Sequence, residues 1–415
     1  MYRVWYSTES FADYIIDHTN LIRLNPEKHR MYESDASKPK NFHTMPDHIR
    51  KILYLDAPDL IVEKDNEPIL SMEVTTEAGT GHNAFQRFSR IAAAAENGVP
   101  AFYIYPEGVI VTRRGAQSKW DVINPLIFSA LDSVQSIYKI PALLYYFPSD
   151  ITRYGTCANR APNFANKGLQ FDGDIVRYSG CPSSRSDSMK RLFAGVNEVL
   201  SVVERHEVKK GLQSLLSNLK IREQIRRMQC EFSCKANGRP IEDMSPLSAV
   251  MTVKTEKILQ YLSGYENSGY RIGELLRNRM ETKIYQINAK FRGDPYPGCL
   301  AAIDYLCCRE GLTFEERRYN LILVFGKVKI NSHDGAISVI DEKGSTINDF
   351  FKDVKSCANH NLLTRNYQDL ESADIPRYMM QVRYGSTYSK VKHIRVYSYF
   401  SDAIFFPDGA LWRDA

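Results

Sequence analysis

Between Ala57 and Glu107 the chain reads APDLIVEKDNEPILSMEVTTEAGTGHNAFQRFSRIAAAAENGVPAFYIYPE. Two short apolar runs, LIV and ILSMEV, flank a cluster of turn formers, EKDNEP. Runs this short and this apolar are typical of strands buried on both faces, as at the centre of a layered α/β domain. Gly79 and Gly81 then interrupt the pattern. A helix is expected from about His82 to Asn97, ended by Gly98 in the usual position after a helix C-terminus. Phe85, Phe88, Ala92 and Ala95 recur at helical spacing and would face the sheet. AFYIYP supplies the next strand, and GVIVTRR is expected to extend the sheet. The order strand, turn, strand, helix, strand constrains the fold more than any other stretch.

Acids stand where these strands would meet. Asp59 follows Pro58 at the start of the first strand, and Glu73 lies near the end of the second. If the turn between Lys64 and Pro68 folds the strands into a hairpin, the two carboxyls come together. An unpaired carboxylate inside an apolar strand is costly, so Glu73 needs a partner. A pair of carboxylates on adjacent strands is a natural holder for Mg²⁺. That ion can activate water, neutralise phosphoryl oxygens and stabilise a leaving oxygen in phosphodiester hydrolysis. Glu77 would be a third, weaker ligand. His82, Gln86 and Arg90 recur at i, i+4, i+8, with Asn83 and Arg87 beside them. Near a helix N-terminus such groups suit a scissile phosphate. The competing reading of Arg87 and Arg90 is a solvated helix face, and that of Asp59 is an ordinary strand-entry residue.

In these residues the chain resembles the PD-(D/E)xK nuclease superfamily, which includes most type II restriction endonucleases. Pro58 and Asp59 match the first half of the motif, and Glu73 matches the acid of the second. The resemblance covers roughly residues 45–110. Its lysine, two residues after the second acid, is replaced by Thr75. The resemblance implies metal ligation by Asp59, Glu73 and, more weakly, Glu77. Mg²⁺ is the implied cofactor and Mn²⁺ a substitute. The lysine's role would fall to His82, Lys64 or Gln86.

The 415 residues suffice for two or three domains. A charged fraction of 25% with 25 Tyr and 19 Phe describes a folding chain rather than a disordered one. The net charge of +5 is compatible with a nucleic-acid partner without requiring one. The eight cysteines form no CxxC pair, which argues against a zinc or iron–sulfur site. No P-loop, kinase set, nucleophile elbow, HExxH or dinucleotide fingerprint is present, so several enzyme classes, ATP-driven nucleases among them, are set aside. No basic leader with an apolar run and no stretch long enough to span a bilayer is seen, so a cytoplasmic location without membrane contact is expected.

Elsewhere, residues 1–56 read as helical pieces, SFADYIIDHTNLIRL and MPDHIRKILYL. Residues 151–187 read as a linker or extended loop. Residues 188–298 read as helical, and 299–415 as mixed α/β with strands in YNLILVFGKVKI, IPRYMMQVRYG and HIRVYSYFSDAIFF. The basic groups Lys220, Arg222, Arg226 and Arg227 share one segment, and Lys390, Lys392 and Arg395 another. Both are candidate phosphate contacts, or else solvated faces. The loop GDPYPG, with Tyr296 and Pro297, is a tight turn with an aromatic tip.

The expected fold is α/β, or α+β overall. An N-terminal restriction-endonuclease-like mixed sheet spans 1–150, followed by the regions just named for DNA recognition or dimerisation. The expected function is Mg²⁺-dependent, sequence-specific cleavage of double-stranded DNA by a homodimer, with a companion DNA methyltransferase encoded nearby. Two alternatives stay open: a repair or phage-defence nuclease, and a catalytically inactive relative that binds nucleic acid.

Overall fold

The computed structural model describes residues 1–31, 45–75, 84–106, 108–111, 119–147, 178, 181–236, 247–263, 276, 278–287, 295–346, 349, 396–397 and 399–412. The fold is mixed α/β. The described residues fall into two compact units, one reaching to 236 and one starting at 247.

The first unit is built on a six-stranded mixed sheet. Its strands are β1 (Tyr2–Tyr6), β2 (Glu27–Arg30), β3 (Leu60–Lys64), β4 (Glu67–Val74), β5 (Ala101–Pro106) and, beyond the separate hairpin β6 (Gly108–Val111) and β7 (Lys119–Val122), β8 (Ala142–Phe147). The sheet order is β2-β1-β3-β4-β5-β8. β3 and β4 are antiparallel, whereas β4, β5 and β8 run parallel. The hairpin between β3 and β4 turns on Asp65 and Asn66, both at positive φ (52° and 65°). That is the geometry a two-residue hairpin loop needs, and short polar side chains tolerate it. The register places Leu60 opposite Met72, with a bulge after Val62.

Helices α1 (Glu9–Asp17), α2 (Leu21–Leu24) and α3 (Asp47–Arg50) come from the segments with helical patterning. β1 was not expected, although Val4, Trp5 and two tyrosines are good strand formers. α4 (Phe88–Glu96) starts one and a half turns later than the sequence suggested and stops at Gly98, whose φ is +73°. It and α5 (Leu126–Tyr138) lie on one face of the sheet. GVIV does not extend that sheet; it forms the two-stranded β6–β7 hairpin with Lys119–Val122.

The helices expected to form a separate region after residue 187 belong to this unit. They are α6 (Asp187–Arg205), α7 (Val208–Ser214) and α8 (Leu219–Ala236). α6 is capped by Ser186, whose hydroxyl accepts from the Met189 N–H at 3.3 Å. It covers the opposite face from α4. Gly195 permits this close approach, since a Cβ there would stand 2.6 Å from the Tyr145 hydroxyl. α8 lies along β8, the last strand of the sheet, where Tyr145 donates to the Gln224 side chain. An open parallel edge needs cover, and α8 supplies it.

The second unit contains five strands in the order β15-β14-β11-β10-β9. They are β9 (Val250–Lys254), β10 (Glu281–Ile287), β11 (Asn320–Phe325), β14 (Ala403–Phe406) and β15 (Gly409–Trp412); β12 (Lys327–Ile330) and β13 (Ile337–Ile340) make a separate hairpin. β9 and β10 correct the all-helical reading of 188–298. Val250, Thr252, Val253, Thr282, Ile284 and Ile287 are β-branched and sit in the sheet. YNLILVFGKVKI is two strands, because Gly326 at φ +116° turns the chain between them. Within HIRVYSYFSDAIFF the strand among the described residues is AIFF, and Val396 and Tyr397 are helical; IPRYMMQVRYG lies outside the described residues. α9 (Thr255–Ser263) packs Ile258 and Leu262 on Ile284, Ile322, Val324 and Phe405. α10 (Tyr296–Ile303) opens at the residues read as an aromatic turn tip, and Asp304–Arg309 continues it as a π-helix. Among the described residues no helix is long and apolar enough to cross a membrane.

Candidate active site

The β3–β4 hairpin brings the two acids together. Asp59 precedes β3, and its N–H donates to the Met72 carbonyl at 3.1 Å. The register therefore sets Asp59 across from Glu73, on the same side of the sheet. Asp59 is half-buried and accepts the Val74 N–H at 2.9 Å through Oδ2. Glu73 is 1% exposed and lies beside Tyr103 of β5.

Arginines from the start of α4 meet this pair. The Arg90 Nη1 donates to both Glu73 oxygens, at 2.8 and 2.9 Å, and its Nε donates to Asp56 Oδ2 at 2.7 Å. Arg87 Nε stands 3.1 Å from Glu73 Oε1. The cluster thus holds three carboxyls, Asp56, Asp59 and Glu73, against two guanidiniums. Among the described residues Asp59 enters no ion pair. Burial pushes Glu73 up to about 8, Arg90 and Arg87 oppose the shift, and the nearby Asp59 charge adds to it. Arg90 stays charged because Asp56, Glu73 and Asp59 together outweigh its own desolvation.

The sequence-derived residues divide sharply in position. Asp59, Glu73, Arg87 and Arg90 are together. Arg90 is not a phosphate contact: it is 7% exposed, and its donors are taken by Glu73 and Asp56. Thr75 continues the β4 ladder through its N–H to Ile104, is buried, and shares a hydrogen bond of 3.1 Å with the Tyr103 hydroxyl. Lys64 sits at the other end of β3, paired in register with Glu67, and donates to the Val203 carbonyl. It cannot stand in for the lysine of the motif. Gln86 lies half-buried in the turn leading to α4. Glu77, His82, Lys390, Lys392 and Arg395 lie outside the described residues. On α8, Lys220 pairs with Glu198, Arg222 and Arg226 share one groove, and Arg227 lines another with Arg191 and Gln224. The basic segment is therefore not one continuous phosphate-binding face.

Asp56 and Tyr103 were missed. The one available signal for Asp56 was its place just ahead of the Pro58–Asp59 pair. Nothing local marked Arg90 as the Glu73 partner, since 17 residues separate them.

The fit to a divalent cation is incomplete. Asp59 Oδ1 accepts no hydrogen bond among the described residues. Both Glu73 oxygens already face Arg90. Among the described residues no group of three or more His, Cys, Asp or Glu is placed to hold a metal ion. Comparison of the chain with protein-family models, curated proteins and solved structures finds no match.

Proposed function

We propose that the first unit acts on the phosphodiester backbone of double-stranded DNA, as an endonuclease similar to type II restriction enzymes. The supporting observation is the opposition of Asp59 and Glu73 across the β3–β4 hairpin, with α4 and the parallel strand β5 following on the same site. In this reading Asp59 and Glu73 are the paired acids. Mg²⁺, when bound, would supply water activation and neutralise phosphoryl charge. Arg90 orients the Glu73 carboxyl, and Asp59 is anchored by the Val74 N–H.

Two observations favour a second reading, binding of DNA without cutting. Both oxygens of Glu73 are engaged, and Thr75 replaces the motif's lysine with a hydroxyl bonded to Tyr103.

Incubation of the purified full-length chain with unmethylated phage DNA, with Mg²⁺ or EDTA, separates the two. Discrete fragments with Mg²⁺ alone, lost in Asp59→Asn, support the nuclease. A mobility shift without fragments supports the binder. Neither fragments nor a shift rejects both. Asp59→Asn is the cleaner variant, because Glu73→Ala also strips Arg90 of a partner.

A further inference from the structure

A groove of about 360 Å³ lies between α5 and α8 in the first unit, apart from the acid cluster. α5 contributes Asp132, Gln135 and Ser136, with Lys139 directly after its end. α8 contributes Arg222, Ile225, Arg226 and Gln229, and Leu216 closes one side. Both sets follow i, i+3, i+4, i+7, the spacing of a helix face that normally carries the apolar contact with a neighbouring helix. Here that face is mostly polar and leaves a groove instead of a seam.

Two observations point to a ligand. Gln135 lines the groove, is 4% exposed, and among the described residues neither its Oε1 nor its Nε2 has a hydrogen-bond partner. A buried amide without partners is rare in folded proteins. Arg222, Arg226 and Lys139 bring three positive charges, none in an ion pair among the described residues, while the single acid, Asp132, accepts from the Gln229 amide at 3.0 Å. The volume falls within the usual range of small-molecule sites, roughly 300–1,000 Å³.

We propose that this groove binds a mononucleotide. Arginines and a lysine suit its phosphate. The Gln135 amide, one donor group beside one acceptor, suits the edge of a base. Ile225 and Leu216 give an apolar wall for the ring. The site is independent of the proposed nuclease reading, and none of its residues belongs to the acid cluster.

Calorimetric titration of the full-length chain with the four nucleoside monophosphates, and separately with inorganic phosphate, tests this. Saturable binding of at least one nucleotide, tighter than phosphate, is expected. Arg222→Ser with Arg226→Ser should abolish it. Gln135→Leu should weaken nucleotide binding by about tenfold or more and leave phosphate binding unchanged. The two arginines are exposed, so their substitution tests the proposal even if Gln135→Leu perturbs folding. No saturable binding at millimolar nucleotide overturns the proposal. So does an affinity no greater than that for phosphate, or nucleotide binding indifferent to the arginine substitutions.

Discussion

Each unit buries arginines against carboxylates, and the two clusters differ in how their charge is balanced. In the second unit, Arg309 donates to Asp304 at 2.6 Å. Arg317 donates to Asp304 at 2.8 Å and also to Asp402. Two cations and two anions make up this hydrogen-bonded set, and the Arg279 guanidinium stands close enough to interact with their charges. Asp304 and Arg309 are wholly inaccessible, and Arg317 and Asp402 nearly so. Asp402 also accepts the Leu321 N–H at 2.9 Å, and Arg309 stacks 3.9 Å over the Tyr305 ring. Such a closed arrangement ties the π-helix, β11 and the entry to β14 together. In the first unit, three carboxyls face two guanidiniums, and Asp59 is only half-buried. Burial then raises Glu73 instead of leaving it in its ordinary range. A sealed, ion-paired cluster is a structural fastening. An acid-rich cluster in which Asp56 and Asp59 are partly exposed keeps capacity for a proton or a cation, which is what a chemical site requires.

The largest effect is expected in the sealed cluster. Arg317→Met leaves Asp402 buried without its guanidinium and should cost about 3–5 kcal/mol, read from urea unfolding. A loss below about 1 kcal/mol would mean that the second cluster contributes little to the fold.

Glu73→Ala should cost less, about 2–3 kcal/mol in the same measurement, because Arg90 retains Asp56. An equal or larger loss than in Arg317→Met would place the main structural fastening in the first unit.

The pH dependence sharpens the difference. With Glu73 near 8 in the folded protein against 4.5 for the ordinary carboxyl, the folded state holds a proton that the unfolded chain releases. Its stabilising contribution is complete below about 4.5 and is lost as pH rises through about 8. Glu73→Gln should remove that loss, so the variant's stability falls less than wild type between pH 5 and pH 9. Parallel curves for the two proteins would assign Glu73 an ordinary titration.

The smallest stability effect is expected from Asp59→Asn, under about 1 kcal/mol, since the amide oxygen can still accept the Val74 N–H. Removing the neighbouring negative charge should also move the Glu73 titration to lower pH. A chemical-shift titration of the Glu73 carboxyl carbon checks this directly, and no movement would show that the two acids are electrostatically separate.

Much of the first sheet is legible along the chain because its signals are local. Asp65 and Asn66 mark a tight turn, the short apolar runs mark buried strands, and Gly98 marks a helix end. Those signals suffice to bring Asp59 opposite Glu73, since an antiparallel hairpin converts sequence spacing into cross-strand register. Strand assignment fails where local patterns are ambiguous. VMTVKTEKILQYL reads as one helix by periodicity, yet Val250–Lys254 is a strand paired to β10. Tertiary pairing overrides a short pattern.

Local patterning along the chain is enough for the hairpin, for the helix and strand that follow it, and for an acid on each strand. What those acids meet depends on how the elements pack. Arg90 lies on the same helical line as Gln86, and its spacing alone suits either solvent or a phosphate. The fold turns it inward because α4 lies over β4, where a buried carboxyl needs a donor. Likewise, α6 and α8 join the first unit because the sheet has a face and an edge to cover, and such a need exists only once the strands are assembled.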